Sequence, residues 1–497
     1  MKNTLFIGAL LTLAAACSPK EQAAVAEQSE KKNVIFILSD DHRYDFMGFM
    51  NKVPFLETPN MDRMAAEGVH VENAFVSTSL CSPSRASILS GQYAHNHRVV
   101  DNQSLIPEGT TFFPEYLQGE AGYQTAFIGK WHMGEHHAAP RPGFDYWASF
   151  KGQGVYYNPT INFNGSEVKH PDSAYVSDVL TDYALDFLQN RDREKPFFVY
   201  LSHKGVHADF KPAKRHLGKY ENEQVAYPPS MFPPGHDRST VSSDEYNYED
   251  LPNWVKAQRH SWHGVDYMYH GHISFEDFYK RYCETLLAVD ESIGTVLDYL
   301  ENEGLLENTL VIYMGDNGFS FGEHGLIDKR QAYEESMRVP FLAMGAGLPA
   351  GTKLTEVVQN VDVGPTIMDF AGLSTKSHMD GNSFKPLLYQ ENIAWRDTVY
   401  YEYFWERPFP QTPTVHAVRT SQYKFIRYHG VWDINELYDI QNDPEEMKNL
   451  IRDPKYADVA KGLRDALFDW LQETGGESMP LKPDHGKRFD HRYRGTY

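Results

Sequence analysis

Cys81 lies in the run Leu80-Cys81-Ser82-Pro83-Ser84-Arg85-Ala86-Ser87-Ile88-Leu89-Ser90-Gly91, where the usual roles of a cysteine are hard to fill. The other two cysteines, Cys17 and Cys283, are far off in sequence, and no C-x-x-C spacing offers a zinc knuckle or a redox pair. Pro83 and the Ala86–Leu89 stretch predict the first turn of a helix that Gly91 ends or kinks. A thiol there faces unpaired backbone N–H groups and the positive end of a helix dipole. On the residues alone, a buried structural cysteine stays open. Two further groups have chemical potential: Asp40-Asp41, and Asp316-Asn317. Three carboxylates and an amide oxygen form a hard-oxygen set that suits calcium or magnesium and suits zinc poorly.

Something must bring these residues together, and the apolar patterning says what. Asn33–Leu38, Gln124–Ile128, Phe197–Leu201 and Thr309–Met314 are short continuous apolar runs, as expected of strands buried on both faces of a helix-covered sheet. Each stops at polar residues: Ser39-Asp40-Asp41, Gly129-Lys130-Trp131-His132, Ser202-His203-Lys204, and Gly315-Asp316-Asn317. Ligands bind beyond the carboxyl ends of strands in open α/β sheets, so four such ends point to one site. Apolar residues at helical spacing predict a long helix over 275–305. The segment 212–270, rich in Tyr, Trp, His and Pro with weak periodicity, reads as a long insertion, either a wall of the binding cleft or a solvated excursion. From about Arg396 the texture turns to short alternating strands, Val415–Arg419 and Lys424–Tyr428 among them, followed by an amphipathic helix over 456–474.

Cys-x-Pro-Ser-Arg followed by Ser90-Gly91 resembles the modification motif of the formylglycine-dependent sulfatase family, in the alkaline phosphatase superfamily. Gly129-Lys130-Trp131-His132-Met133-Gly134 is similar to a second motif of that family. The resemblance runs in the family's order from Asn33 to Thr474. It implies an alkaline phosphatase-like α/β fold: a large mixed sheet flanked by helices over 33–395, and a smaller C-terminal subdomain of antiparallel sheet plus helix over 396–497. It implies that Cys81 is oxidised by a maturation enzyme to formylglycine, whose hydrate attacks sulfur and carries a covalent sulfo-enzyme. Arg85 would hold the hydrated aldehyde, and Lys130 and Lys329 would bind sulfate. His132 would take the proton that lets sulfate leave. His207 best matches the histidine that protonates the leaving alcohol, with His203 as its competitor, because the proline usual in that segment is missing. Asp40, Asp41, Asp316 and Asn317, with modified Cys81, would ligate one calcium.

The implied substrate is a sulfated carbohydrate, an algal polysaccharide or glycosaminoglycan fragment. The Gly91–Val100 stretch is locally similar to glucosamine-6-sulfatases. His95, His97, Arg98, His203, His416 and Arg419 are candidate sugar contacts. Two other readings stand beside this one: a phosphoester or phosphonate ester hydrolase of the same superfamily, and a non-catalytic glycan-binding lipoprotein. Filled acid, base and ligand positions argue against the second.

With 497 residues, 41% hydrophobic and 23% charged, the chain is ordinary for a globular protein with a substantial core. A net charge of -21 argues against a general nucleic-acid binder, without excluding a locally basic anion pocket. Lys2 and the apolar run from Leu5 to Ala16 have the form of a signal peptide, too short to span a bilayer. Cys17 after three alanines resembles a bacterial lipoprotein signal over 1–17, which implies a lipid anchor and a periplasmic or outer-membrane location. Cleavage at Ala-x-Ala without lipidation stays open, because Ala14 stands where leucine is usual. Residues 18–32 read as a flexible tether.

Overall fold

A computed structural model describes residues 31–134, 137–268 and 273–480 of the chain. The expected signal segment, Cys17 and nearly all of the tether lie outside the described residues.

The strands of the main sheet are β1 (Asn33–Ser39), β2 (Val69–Phe75), β3 (Gln124–Lys130), β4 (Tyr146–Phe150), β5 (Thr160–Phe163), β6 (Ser166–Lys169), β7 (Phe197–Ser202) and β8 (Thr309–Gly315). After a two-stranded excursion, β9 (Ser320–Phe321) and β10 (Ile327–Asp328), come β11 (Phe341–Gly345) and β12 (Thr352–Gln359). The ten-stranded sheet has the order β12-β2-β11-β8-β1-β7-β3-β4-β5-β6. It is mixed, and its centre is parallel: β1 pairs in parallel with both β8 and β7, and β7 and β4 do so with β3. The four apolar runs of the sequence are therefore neighbours pointing the same way.

Their continuous hydrophobicity follows from burial on both faces. Ile35, Ile37, Val199, Leu201, Val311 and Tyr313 enter one core, with the helices Pro59–Glu67, Val176–Asn190 and Phe275–Asn302. Phe36, Leu38, Phe198, Tyr200, Ile312 and Met314 enter the other, against the helices Cys81–Ser90, Phe113–Gly119 and Val363–Phe370. The long helix starts at Phe275, where the Ser274 side chain accepts a hydrogen bond from Asp277 N at 3.1 Å, and ends three residues before the expected Leu305. Gly129 has no room for a side chain: a Cβ there would fall 1.8 Å from Ser202 O, so β3 and β7 close up just before Lys130.

The C-terminal strands β13 (Val399–Tyr403), β14 (Thr414–Arg419), β15 (Tyr423–His429) and β16 (Glu436–Asp439) form an antiparallel meander. Val418, Phe425 and Leu437 pack on the helix Ala457–Thr474 through Leu463, Leu467 and Trp470. Val415, Ala417 and Ile426, on the opposite face, share a core with Phe75, Leu80 and Tyr333 of the larger part. Within the described part of the insertion, residues 212–268, Tyr246, Trp254 and Val255 join that same core, and Ile327 N donates to His263 O at 2.8 Å, so this part buttresses the loop that carries Lys329.

Candidate active site

The carboxyl ends of β1, β8, β7 and β3 converge on Cys81. Cys81 opens the helix Cys81–Ser90, and Arg85, four residues on, falls on the same helix face. Both are fully buried, as are Asp40, Asp41, Asp316, Asn317, Lys130 and Lys329. Cys81 Sγ is 3.4 Å from Asp40 Oδ1 and 3.4 Å from Lys329 Nζ. Its surroundings are thus charged groups, not the apolar neighbours of a structural cysteine. Burial, with Asp40 and Asp316 nearby, pushes the thiol pKa up, so this side chain is a poor thiolate.

Ion pairs hold the cluster together. Lys130 Nζ donates to Asp40 Oδ2, and to Gln153 Oε1 at 2.5 Å; Lys329 Nζ donates to Asp41 Oδ1. Arg85 donates through Nε to Asp316 Oδ2 at 2.9 Å, and through one terminal nitrogen to Lys130 O and Ser202 Oγ, each at 2.6 Å. On the opposite side, Tyr282 of the long helix donates its hydroxyl to Asp41 O at 2.8 Å. Asp41 and His132 both adopt left-handed backbone conformations, with φ of 56° and 54°. For residues other than glycine such conformations are uncommon and cluster at functional sites.

One oxygen each from Asp40, Asp41 and Asp316 lies within 4.8 Å of the others. Burial and the adjacent Asp40 and Asp316 raise the Asp41 pKa to about 7, and the Asp316 carboxyl is raised as well, first by burial and then by Asp40. Asp41 Oδ2 and Asn317 Oδ1 are buried without a hydrogen-bond partner. Crowded carboxylates with unsatisfied oxygens fit a hard cation, which would relieve their repulsion and use both lone oxygens.

Two histidines reach this cluster. His207 supplies a ring nitrogen to a group with Asp40 and Cys81, and its Nε2 is 3.8 Å from Asp41 Oδ2. Its Nδ1 donates to Ala208 O at 2.6 Å, which leaves Nε2 as the nitrogen that exchanges a proton with the site. His132 meets Ser82 through Nδ1 at 3.4 Å. Burial, then a neighbouring lysine (Lys329 for His207, Lys130 for His132), pushes both pKa values well below 6.5, so both rings rest neutral. His203, the competitor, is buried with neither ring nitrogen hydrogen-bonded, and burial alone lowers its pKa to about 3. The geometry brings His207, not His203, to Cys81.

The structure places four of the expected sugar contacts in buried positions inside the protein. His95 bonds Glu402 Oε2 at 2.8 Å and Thr474 O at 3.3 Å, and His97 bonds Ser87 Oγ at 3.0 Å and accepts from Val99 N at 3.1 Å. His416 is buried against His429 at 2.9 Å, and Arg419 is buried in a bidentate pair with Glu334. Arg98 is exposed at the C-terminal cap of the short helix Ala94–His97. Gln153 and Tyr156 at the site escaped the sequence reading, and Lys204 entered it only as part of a polar strand end, with no role of its own.

The sulfatase family model matches residues 32–373, and one described as N-sulphoglucosamine sulphohydrolase, C-terminal, matches residues 322–473. The chain is 34% identical to an N-acetylglucosamine-6-O-sulfatase of Bacteroides thetaiotaomicron, over 96% of this chain and 91% of that protein. It is 30% identical to the human N-acetylglucosamine-6-sulfatase, over 94% of this chain and 90% of that one. A solved structure in complex with its substrate D-glucosamine-2-N,6-O-disulfate superposes with a TM-score of 0.79 at 31% identity, covering 91% of this chain and all of that one.

Proposed function

The chain belongs to the sulfatase family and is a sulfuric ester hydrolase; from that premise we propose that it removes the 6-O-sulfate of glucosamine residues in a sulfated glycan. The observation that carries the chemistry is Cys81 at 3.4 Å from both a carboxylate of the acidic trio and the Lys329 ammonium. The choice of sugar is supported by relatives named for N-acetylglucosamine 6-sulfate, which favour glucosamine over the algal glycans that the sequence alone leaves equally open.

Formylglycine at position 81 would supply, as its hydrate, the hydroxyl nucleophile that a buried, high-pKa thiol does not. Asp40, Asp41, Asp316 and Asn317 would hold a calcium ion, whose Lewis acidity supports charge on the sulfate oxygens. Lys130 and Lys329 place two fixed ammonium groups where negative charge develops on peripheral oxygens, and Arg85 keeps Asp316 and the end of β3 in position. Neutral with Nδ1–H fixed on Ala208 O, which prevents the ring from turning, His207 would first take up a proton at Nε2, a step that the negative charge of a bound sulfate ester favours, and then pass it to the departing sugar oxygen. His132, neutral at rest, accepts a proton. Export and anchoring through Cys17 complete the proposal and would place the enzyme in the cell envelope.

The test is desulfation of a defined panel, after mass spectrometry has confirmed conversion at Cys81. N-acetylglucosamine 6-sulfate should be turned over faster than galactosamine, carrageenan or aryl sulfates. Faster cleavage of a phosphate monoester than of every sulfate would defeat the proposal.

A further inference from the structure

Lys204 is a buried cation with no carboxylate in contact among the described residues, at the edge of an anion-binding site. It follows β7, which lies between β1 and β3 in the sheet, so it emerges between Asp40 and Lys130. The turn that carries it is fastened to the metal-site strand: Asp40 N donates to Gly205 O at 2.9 Å and Val206 N to Asp40 O at 2.7 Å. Only 4% of Lys204 is exposed, yet among the described residues its Nζ meets no hydrogen-bond or ion-pair partner. Its Nζ lies over the Tyr156 ring, 4.6 Å from the centroid. Tyr156 in turn donates its hydroxyl to His207 O at 2.5 Å, and His207 N donates to Lys204 O at 3.0 Å, so the three residues form one wall.

A buried ammonium costs free energy unless something negative meets it. Burial, together with Lys130 nearby, lowers its pKa to about 8. The carboxylates that could answer it are engaged: Asp40 and Asp41 by Lys130 and Lys329, and Asp209 by Lys211 at 3.4 Å.

We propose that Lys204 is a specificity residue that receives a second anionic group of the substrate, beside the scissile sulfate. This deepens the glucosamine 6-sulfate reading and rests on it. The second anion can come from an N-sulfate on the same ring or a carboxylate on the adjoining sugar. Both offer the negative oxygens that an ammonium over an aromatic face lacks.

Three substrates separate these cases: N-acetylglucosamine 6-sulfate, glucosamine-2-N,6-O-disulfate, and 6-sulfated N-acetylglucosamine joined to a uronic acid. The modified wild type should prefer at least one of the doubly anionic compounds in kcat/KM. Lys204→Met should cut that preference by roughly tenfold or more, chiefly through KM, and Lys204→Arg should retain most of it. Which compound loses the advantage identifies the source of the second anion. An active wild type without preference, or a Lys204→Met variant that keeps the preference or loses rate equally on all three, overturns the inference while leaving the glucosamine reading standing. A wild type that turns over other sugar sulfates but none of these removes that reading, and the inference with it.

Discussion

Taking the ammonium from Lys130 tests the site where charge is densest. Lys130→Met leaves Asp40 without its closest cation and the sulfate without one of two fixed donors. The expected loss in kcat is about 10²–10³-fold, with a smaller change in KM, because the missing interaction grows as charge develops. Steady-state kinetics on protein shown to be folded by circular dichroism checks this; a loss confined to KM would mean that Lys130 only binds. The acidic trio makes a separate demand. Asp40, Asp41 and Asp316 converge, with one oxygen of Asp41 and the amide oxygen of Asn317 unsatisfied, so removal of a bound cation should cost both rate and stability. Dialysis against a chelator should abolish activity and lower Tm, and calcium should restore both. Recovery with zinc alone would contradict the oxygen-rich donor set.

The elements that carry these residues were legible in the sequence to different degrees. β1, β3, β7 and β8 could be read because burial on both faces demands unbroken apolar runs, and the polar residues that end them mark the ligand edge. Cys81 and Arg85 could be read through the resemblance of their motif to the sulfatase family, and the structure adds that one helical turn puts them on a shared face. Gln153 and Tyr156 could not, and Lys204 could be read as a polar strand end but not given a role, because these roles arise from strand order, and nothing local says that β7 lies between β1 and β3. His95 and Arg419 misled for the opposite reason: a histidine or arginine beside a motif reads as a contact until burial shows that its nitrogens are used. Their actual work is to join elements. His95 fastens the helix Ala94–His97 to Glu402 on β13 and to Thr474 at the end of the terminal helix. Burial opposes its protonation, but the Glu402 bond and charge prevail and raise its pKa above 6.5. A raised folded-state value means that the pair's contribution is fully present below the unfolded pKa and is lost as pH rises through the folded one. Glu402→Gln keeps an acceptor for His95 N and removes the charge. It should destabilise the protein by roughly 1.5–3 kcal/mol at pH 5.5 and by clearly less at pH 9. Denaturant titrations at the two pH values measure the difference, and an equal loss at both would mean that the ring is neutral throughout.

At the scale of the whole molecule, the question is whether the C-terminal sheet is an appendage or part of what builds the active site. Its inner face shares a core with Phe75, Leu80 and Tyr333, and Leu80 is the residue immediately before Cys81. Charge crosses the same boundary: Lys424 on β15, fully buried, lies 2.9 Å from both Glu334 and Glu446, while Arg419 on β14 takes the other side of Glu334. Glu334 is held well below the ordinary carboxylate range by Lys424 and Arg419 against the effect of burial. Lys424→Met would leave two carboxylates facing each other out of water, with the Glu446 pKa already raised to about 7 by burial. Removing one partner from such a buried network costs about 3–5 kcal/mol, a large share of the stability of an ordinary domain. Unfolding should therefore be a single transition that shifts as a whole, with loss of activity and loss of the β13–β16 sheet coinciding on heating. A chain ended at residue 395 exposes the face formed by Phe75, Leu80, Tyr333 and Met337, and it should be insoluble or should bind a hydrophobic dye, without sulfatase activity even when position 81 is modified. Two separate calorimetric transitions, or an active truncated chain, would show instead that the catalytic part stands alone and that the terminal sheet only shapes access to it.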